Sequence, residues 1–156
     1  MGENCIINMR NILFLKDELT MNRKTARENA FLLLFEGVSR GDACHEEIFA
    51  LATGERELAY DAYVKDVFFG VYEHLTEIDG VVDECLVGWK KNRVSIAAMV
   101  VLRLATYEMM YLPYVPVKVS INEGIELSKR YDDEKSYLFV NGVLNAIAEK
   151  TGRKNA

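Results

Sequence analysis

Proline is almost missing from this chain, with two among 156 residues, and ten glycines leave little material for the tight turns a strand-rich protein needs. That argues against a sandwich or a barrel. Cysteine is scarce as well: Cys5, Cys44 and Cys85 are odd in number and form no C-x-x-C pair, which excludes a disulfide scaffold and fits a reducing compartment. The cytoplasm is the expected location. There is no excess of positive charge, since 19 Lys and Arg face 24 Asp and Glu for a net of −5, so no global field draws the chain to nucleic acid. Any such binding must come from a local patch. Long apolar runs are lacking too. Ile12–Leu15 is too short for a signal-peptide core and runs into Lys16-Asp17-Glu18, while Ile96–Leu102 is broken by Arg103, well short of the ~20 residues a membrane span requires.

The signatures of catalysis are also absent. The chain has no Gly-rich phosphate loop, no G-x-S-x-G and no His/Cys set at metal-ligand spacing. Cys44-His45, His74 and Cys85 match no standard finger, and Glu123 and Glu126, three apart on one helix, have no accompanying nucleophile or base. The expectation is a protein that is not an enzyme and carries neither cofactor nor metal.

What remains is helical periodicity. With half the residues apolar, the chain is long enough for one compact domain or two small sub-domains sharing a core. Asn22 or Thr25 can cap a first helix whose Ala26, Ala30, Leu33, Leu34 and Phe35 recur at helical steps; a short second one spans about Glu46–Ala52. Ala59–His74 carries a clear 3.6 pattern. Thr76 and Asp79 offer caps for a helix closed by Gly88, and Ile96–Leu112, apolar almost all round, reads as the central helix. Pro113 and Pro116 bracket a turn before helices over about Val117–Tyr131 and Asp133–Lys150, with Gly152 as a stop. About seven helices in an all-α fold result. Gly124 and Gly142 sit inside helices, where close helix packing is the expected reason for them. Met21 reads as a natural start, leaving residues 1–20 as a mis-assigned or disordered extension, 21–150 as the helical domain and 151–156 as a basic tail.

The anomaly lies in the first helix. Arg23, Lys24 and Arg27 occupy its first turns, where cations oppose the helix dipole at about 0.3–1 kcal/mol each. Positive side chains around free N–H groups suggest an anion site. Charge is segregated along the chain: Asp42–Glu84 holds twelve acids against Arg56 and Lys65, leaving the remainder net positive, so an acidic protein can still present a basic face.

Three further blocks carry a family likeness. Val101-Leu102-Arg103-Leu104-Ala105-Thr106-Tyr107-Glu108 is followed by Val115-Pro116-Val117-Lys118-Val119-Ser120-Ile121-Asn122-Glu123-Gly124-Ile125-Glu126-Leu127-Ser128-Lys129-Arg130-Tyr131, and then by Lys135-Ser136-Tyr137-Leu138-Phe139-Val140-Asn141-Gly142-Val143-Leu144. With Arg23-Lys24-Thr25-Ala26-Arg27-Glu28, these resemble the bacterial NusB antitermination family in order from Met21 to about Lys150. The resemblance implies two packed helical sub-domains and binding of the single-stranded boxA element of nascent ribosomal RNA. The implied partners are the small-subunit ribosomal protein NusE and RNA polymerase, whose termination the complex suppresses. By position, it places Arg23, Lys24, Arg27, Phe35, Tyr131 and Lys135 at RNA, and Trp89, Tyr131, Asp133 and Lys135 at a partner. Thr25 stands where an extra Arg can occur, which thins the basic cluster, and Ala98 occupies a position that can be acidic in relatives. The same module resembles the RNA-binding domain of a ribosomal RNA methyltransferase, which leaves two alternatives: a module working with a separate methyltransferase chain, or a helical adaptor that binds only proteins.

Overall fold

The computed structural model describes residues 21–41, 44–89 and 93–153. The extension assigned to residues 1–20 lies outside them. Seven helices and no strand are found among the described residues: α1 Arg23–Ser39, α2 His45–Gly54, α3 Ala62–Glu73, α4 Leu75–Cys85, α5 Ile96–Tyr111, α6 Val117–Tyr131 and α7 Ser136–Lys150. Side-chain caps start three of them. Asn22 accepts from Thr25 N at 2.8 Å, Asp61 from Val64 N at 2.9 Å and Ser95 from Ala98 N at 3.0 Å, each satisfying an N–H that the helix leaves without a partner.

The organising element is α5. Eleven of its sixteen residues are buried, from Ala97 round to Met109, and it packs against α1, α3, α4, α6 and α7. On one side α1 joins α2 and α3; on the other α7 joins α4 and α6. The two expected sub-domains thus share α5 as a common wall. Phe31, Phe68, Leu102, Leu144 and Ile147 are all but inaccessible, and each side chain of this kind contributes about 1.5–3 kcal/mol on burial.

Three local expectations are corrected. Helix α4 begins directly after His74 with no side-chain cap, and Asp79 instead accepts from Arg103 Nε and Nη2 at 2.8 and 2.9 Å, because a guanidinium fork on α5 satisfies both carboxylate oxygens at once. Helix α7 starts at Ser136 and not at Asp133, since Asp133 Oδ1 accepts from the backbone N–H of Lys135 and Ser136 in the turn that precedes the helix, whose N-cap position is Lys135. Gly124 is packed as expected, but Gly142 is exposed with nothing within 4 Å of where its Cβ would stand. Gly152 does stop α7. At φ +72° it lets Arg153 N donate to Ala148 O at 2.9 Å, a Schellman closure.

Candidate nucleic-acid interface

The basic start of α1 divides into a buried half and an exposed half. Arg23 and Arg27 are one turn apart and both lie over the ring of Tyr63, at 4.3 and 5.7 Å from its centre. Arg27, however, is only 3% exposed, which corrects its assignment as a phosphate-facing cation. Its Nε donates to both oxygens of Glu108 at 3.2 Å and its Nη2 to Oε2 at 2.8 Å, while the Tyr63 hydroxyl donates to the same oxygen at 3.1 Å. The reason is electrostatic. Glu108 is fully buried on α5, and a carboxylate taken out of water is tolerated only with a paired cation and hydrogen bonds. Burial works against the Arg27 charge, but the hydrogen bond to Glu108 and the fields of Tyr63, Glu108 and Glu123 hold its pKa above the ordinary value. Burial and the Glu108 carboxylate push Tyr63 well above the usual tyrosine range. Nor is the helix start free of caps, since Asn22 already occupies the Thr25 N–H.

Arg23 and Lys24 are the cations that face solvent. Lys24 opens onto a cleft of about 230 Å³ between α1 and α6, which it shares with Glu28, Glu123, Glu126, Lys129 and Arg130. Across this cleft the cations in the last turn of α6 are balanced by acids, Lys129 lying 3.8 Å from Glu126. Arg130 pairs with Glu28 at 3.0 Å, and Lys129 stands 5.0 Å above the Tyr137 ring. Tyr131 is half-buried: its ring stacks on Phe31 at 4.9 Å and its hydroxyl donates to Glu28. Phe35 is also half-buried, tilted against Phe31 at 6.0 Å, and stands about 18 Å along α1 from Arg23.

A second concavity, of about 460 Å³, lies between the α4–α5 connection and the start of α7. Trp89 is 51% exposed and meets Phe139 edge-on at 4.7 Å; Arg93 and Lys135 supply cations, and Asp132 and Asp133 acids. Three of the four residues assigned to a partner, Trp89, Asp133 and Lys135, thus line one groove, whereas Tyr131 does not line it and packs on α1. Asp132 ties the groove floor together, its Oδ2 accepting from Ser95 Oγ at 2.5 Å and Ser136 Oγ at 2.6 Å. Burial would raise its pKa, but those hydroxyls and the Asp133 N–H hold it below the usual aspartate range.

The sequence alone did not show Tyr63 beneath Arg23, Phe139 in the groove, or Glu108 as the partner of Arg27. Only Glu108 left a signal, as the one carboxylate in the largely apolar stretch Ile96–Leu112, where a buried cation must answer it. The histidines are elsewhere, His45 stacked on Tyr72 and His74 on Tyr111, and no group of three metal-binding side chains gathers among the described residues. Among these residues, no helix is long and apolar enough to cross a membrane.

Comparison with known proteins turns on the helical unit just described, because the NusB family matches residues 24–149. The chain belongs to the NusB family. The transcription antitermination protein NusB of Bacillus velezensis is 41% identical over 127 residues, which cover 81% of this chain and 95% of that protein. Among solved structures, a T. maritima NusB superposes with a TM-score of 0.73 at 36% identity, covering 83% of this chain and 92% of the other. A crystal structure of the antitermination factors NusB and NusE in complex with double-stranded RNA reaches a TM-score of 0.72 at 31% identity, over 82% of this chain and 96% of that one. The NusB match begins at Lys24, so the exposed cations stand at its N-terminal edge.

Proposed function

We propose that this NusB-family chain is a transcription antitermination factor of the cytoplasm. It binds the boxA element of nascent ribosomal RNA together with the ribosomal protein NusE, and in complex with RNA polymerase it suppresses termination. It acts by binding, without catalysis or cofactor. The unit responsible is residues 21–150.

The observation that carries this reading is the pair of exposed cations, Arg23 and Lys24, at the start of α1, beside Lys129 and Arg130 of α6, which are ion-paired with Glu126 and Glu28. It gives a net-acidic protein a local field for phosphates. Few cations release few counterions, so the chain alone has modest affinity, and a partner adding its own basic surface raises it. The groove of Trp89, Asp133 and Lys135 offers that partner an aromatic anchor beside charges of both signs. Titrations of labelled boxA RNA and a scrambled control, with each protein alone and with the mixture at one salt concentration, test the proposal. Cooperative, boxA-selective binding by the mixture is expected; independent binding or no preference over the scramble would overturn it.

A further inference from the structure

The turn between α5 and α6 presents an aromatic ring that no feature of the core explains. Tyr114 is 61% exposed, although its neighbours Leu112 and Val115 are both buried. The backbone around it is held from two directions. Val115 N donates to Leu112 O at 3.0 Å, closing the turn, and Arg153 Nη2 donates to the carbonyls of Pro113 and Val115 at 3.4 and 3.3 Å, one on each side of Tyr114. Arg153 comes from the end of the described chain, so a residue assigned to a basic tail clamps this turn in place. A ring held out to solvent on a clamped turn loses little conformational freedom when something packs against it.

The ring is also placed beside the exposed cation of α1. The Arg23 guanidinium lies between two tyrosines, 4.3 Å from the centre of the Tyr63 ring and 5.8 Å from that of Tyr114. Tyr63 is buried and Tyr114 is not, so the pair gives Arg23 one supporting face from the core and one from the surface. The edge N–H groups of a guanidinium so placed remain free for phosphate oxygens. A phosphate held there brings its own nucleotide within reach of an open aromatic face.

We propose that Tyr114 is a base-stacking residue, which together with Arg23 forms a clamp for one nucleotide of single-stranded RNA: Arg23 takes the phosphate and Tyr114 the base. The inference rests on the RNA-binding reading above and adds a contact outside the cleft and groove described there. Stacking on a tyrosine face is tolerant of base identity, so the clamp contributes affinity and register and leaves sequence discrimination to other contacts.

The test compares the full chain with Tyr114→Ala, Tyr114→Phe and Arg23→Ala in titrations of single-stranded boxA RNA over a series of salt concentrations, with thermal unfolding of each variant alongside. Tyr114→Ala is expected to weaken binding about tenfold without changing the slope of log affinity against log salt, because a stacked base releases no counterion. Tyr114→Phe keeps the parent affinity. Arg23→Ala lowers the affinity and flattens the slope by about 0.7, the loss of one phosphate contact. Parent affinity in Tyr114→Ala would overturn the inference. A flattened slope in that variant would do the same, showing that the ring only supports Arg23, as would a defect confined to binding of the ribosomal protein. A parent that binds no RNA would overturn the functional proposal along with this one, whereas the expected behaviour of parent and Arg23→Ala beside an unaffected Tyr114→Ala overturns the clamp alone.

Discussion

Arg23 and Arg27 carry the same charge four residues apart, yet one faces solvent and the other is sealed against Glu108. Their substitutions should therefore separate stability from binding. Arg27→Met leaves a buried carboxylate without its cation and is expected to cost about 3–5 kcal/mol in urea unfolding, most of which the double variant Arg27→Met/Glu108→Leu should recover. Equal instability of the single and double variants would show that the pair is not what the site depends on. The double substitution Arg23→Ala/Lys24→Ala touches exposed side chains and should change stability by no more than about 0.5 kcal/mol, while flattening the salt dependence of RNA binding. Asp132 makes a prediction in pH. Its carboxylate is held below the ordinary aspartate value of about 3.9, so the stability it contributes is present above that pH and is lost as pH falls through the depressed folded value. Asp132→Asn should flatten the acid limb of the unfolding profile below about pH 4. Parallel loss in variant and parent would show that other carboxylates govern acid unfolding.

Two glycines inside helices behave oppositely at the scale of the element. On α6, a Cβ at Gly124 would come within 2.8 Å of Leu144 Cδ1 and 3.3 Å of Val101 Cγ1, so the glycine lets α6 approach α5 and α7. On α7, a Cβ at Gly142 would meet nothing within 4 Å. Gly124→Ala should destabilise by about 1–3 kcal/mol through overpacking, and Gly142→Ala should stabilise by up to about 1 kcal/mol through helix propensity. Thermal midpoints moving in opposite directions are the expected result; two shifts of the same sign would refute the packing difference. The sequence shows both glycines in the same guise, because helical position is written locally while the neighbour across the interface is not. The same limit explains the starts of α4 and α7: Asp79 and Asp133 are good caps by type, but Arg103 claims the first, and the second holds the turn ahead of α7.

For the molecule as a whole, Trp89 is the single tryptophan, so its emission reports on the groove alone. Binding of NusE in that groove should bury its half-exposed ring and shift the emission to shorter wavelength. An unchanged spectrum at saturating NusE would place the partner on another face. The charge pattern belongs to this scale too: twelve acids fall between residues 42 and 84, while Arg23 and Lys24 stand exposed at the start of α1, so charge is segregated within one net-acidic chain.

By itself, the sequence determined the class of the fold, the order of the seven helices, the central place of α5 and the family, because amphipathic period, capping residues and motif blocks are properties of neighbours along the chain. It also determined that binding must be local, since the net charge is negative. Only the tertiary structure decided which of the clustered cations could meet a phosphate. Arg27 is withdrawn by Glu108, 81 residues away on α5. Arg23 is left outside between Tyr63 and Tyr114, and the turn that presents Tyr114 is clamped by Arg153 from the far end of the described chain. Burial and pairing depend on groups that meet only when the helices pack, and a charge has no fate until its desolvation and its partner are both settled.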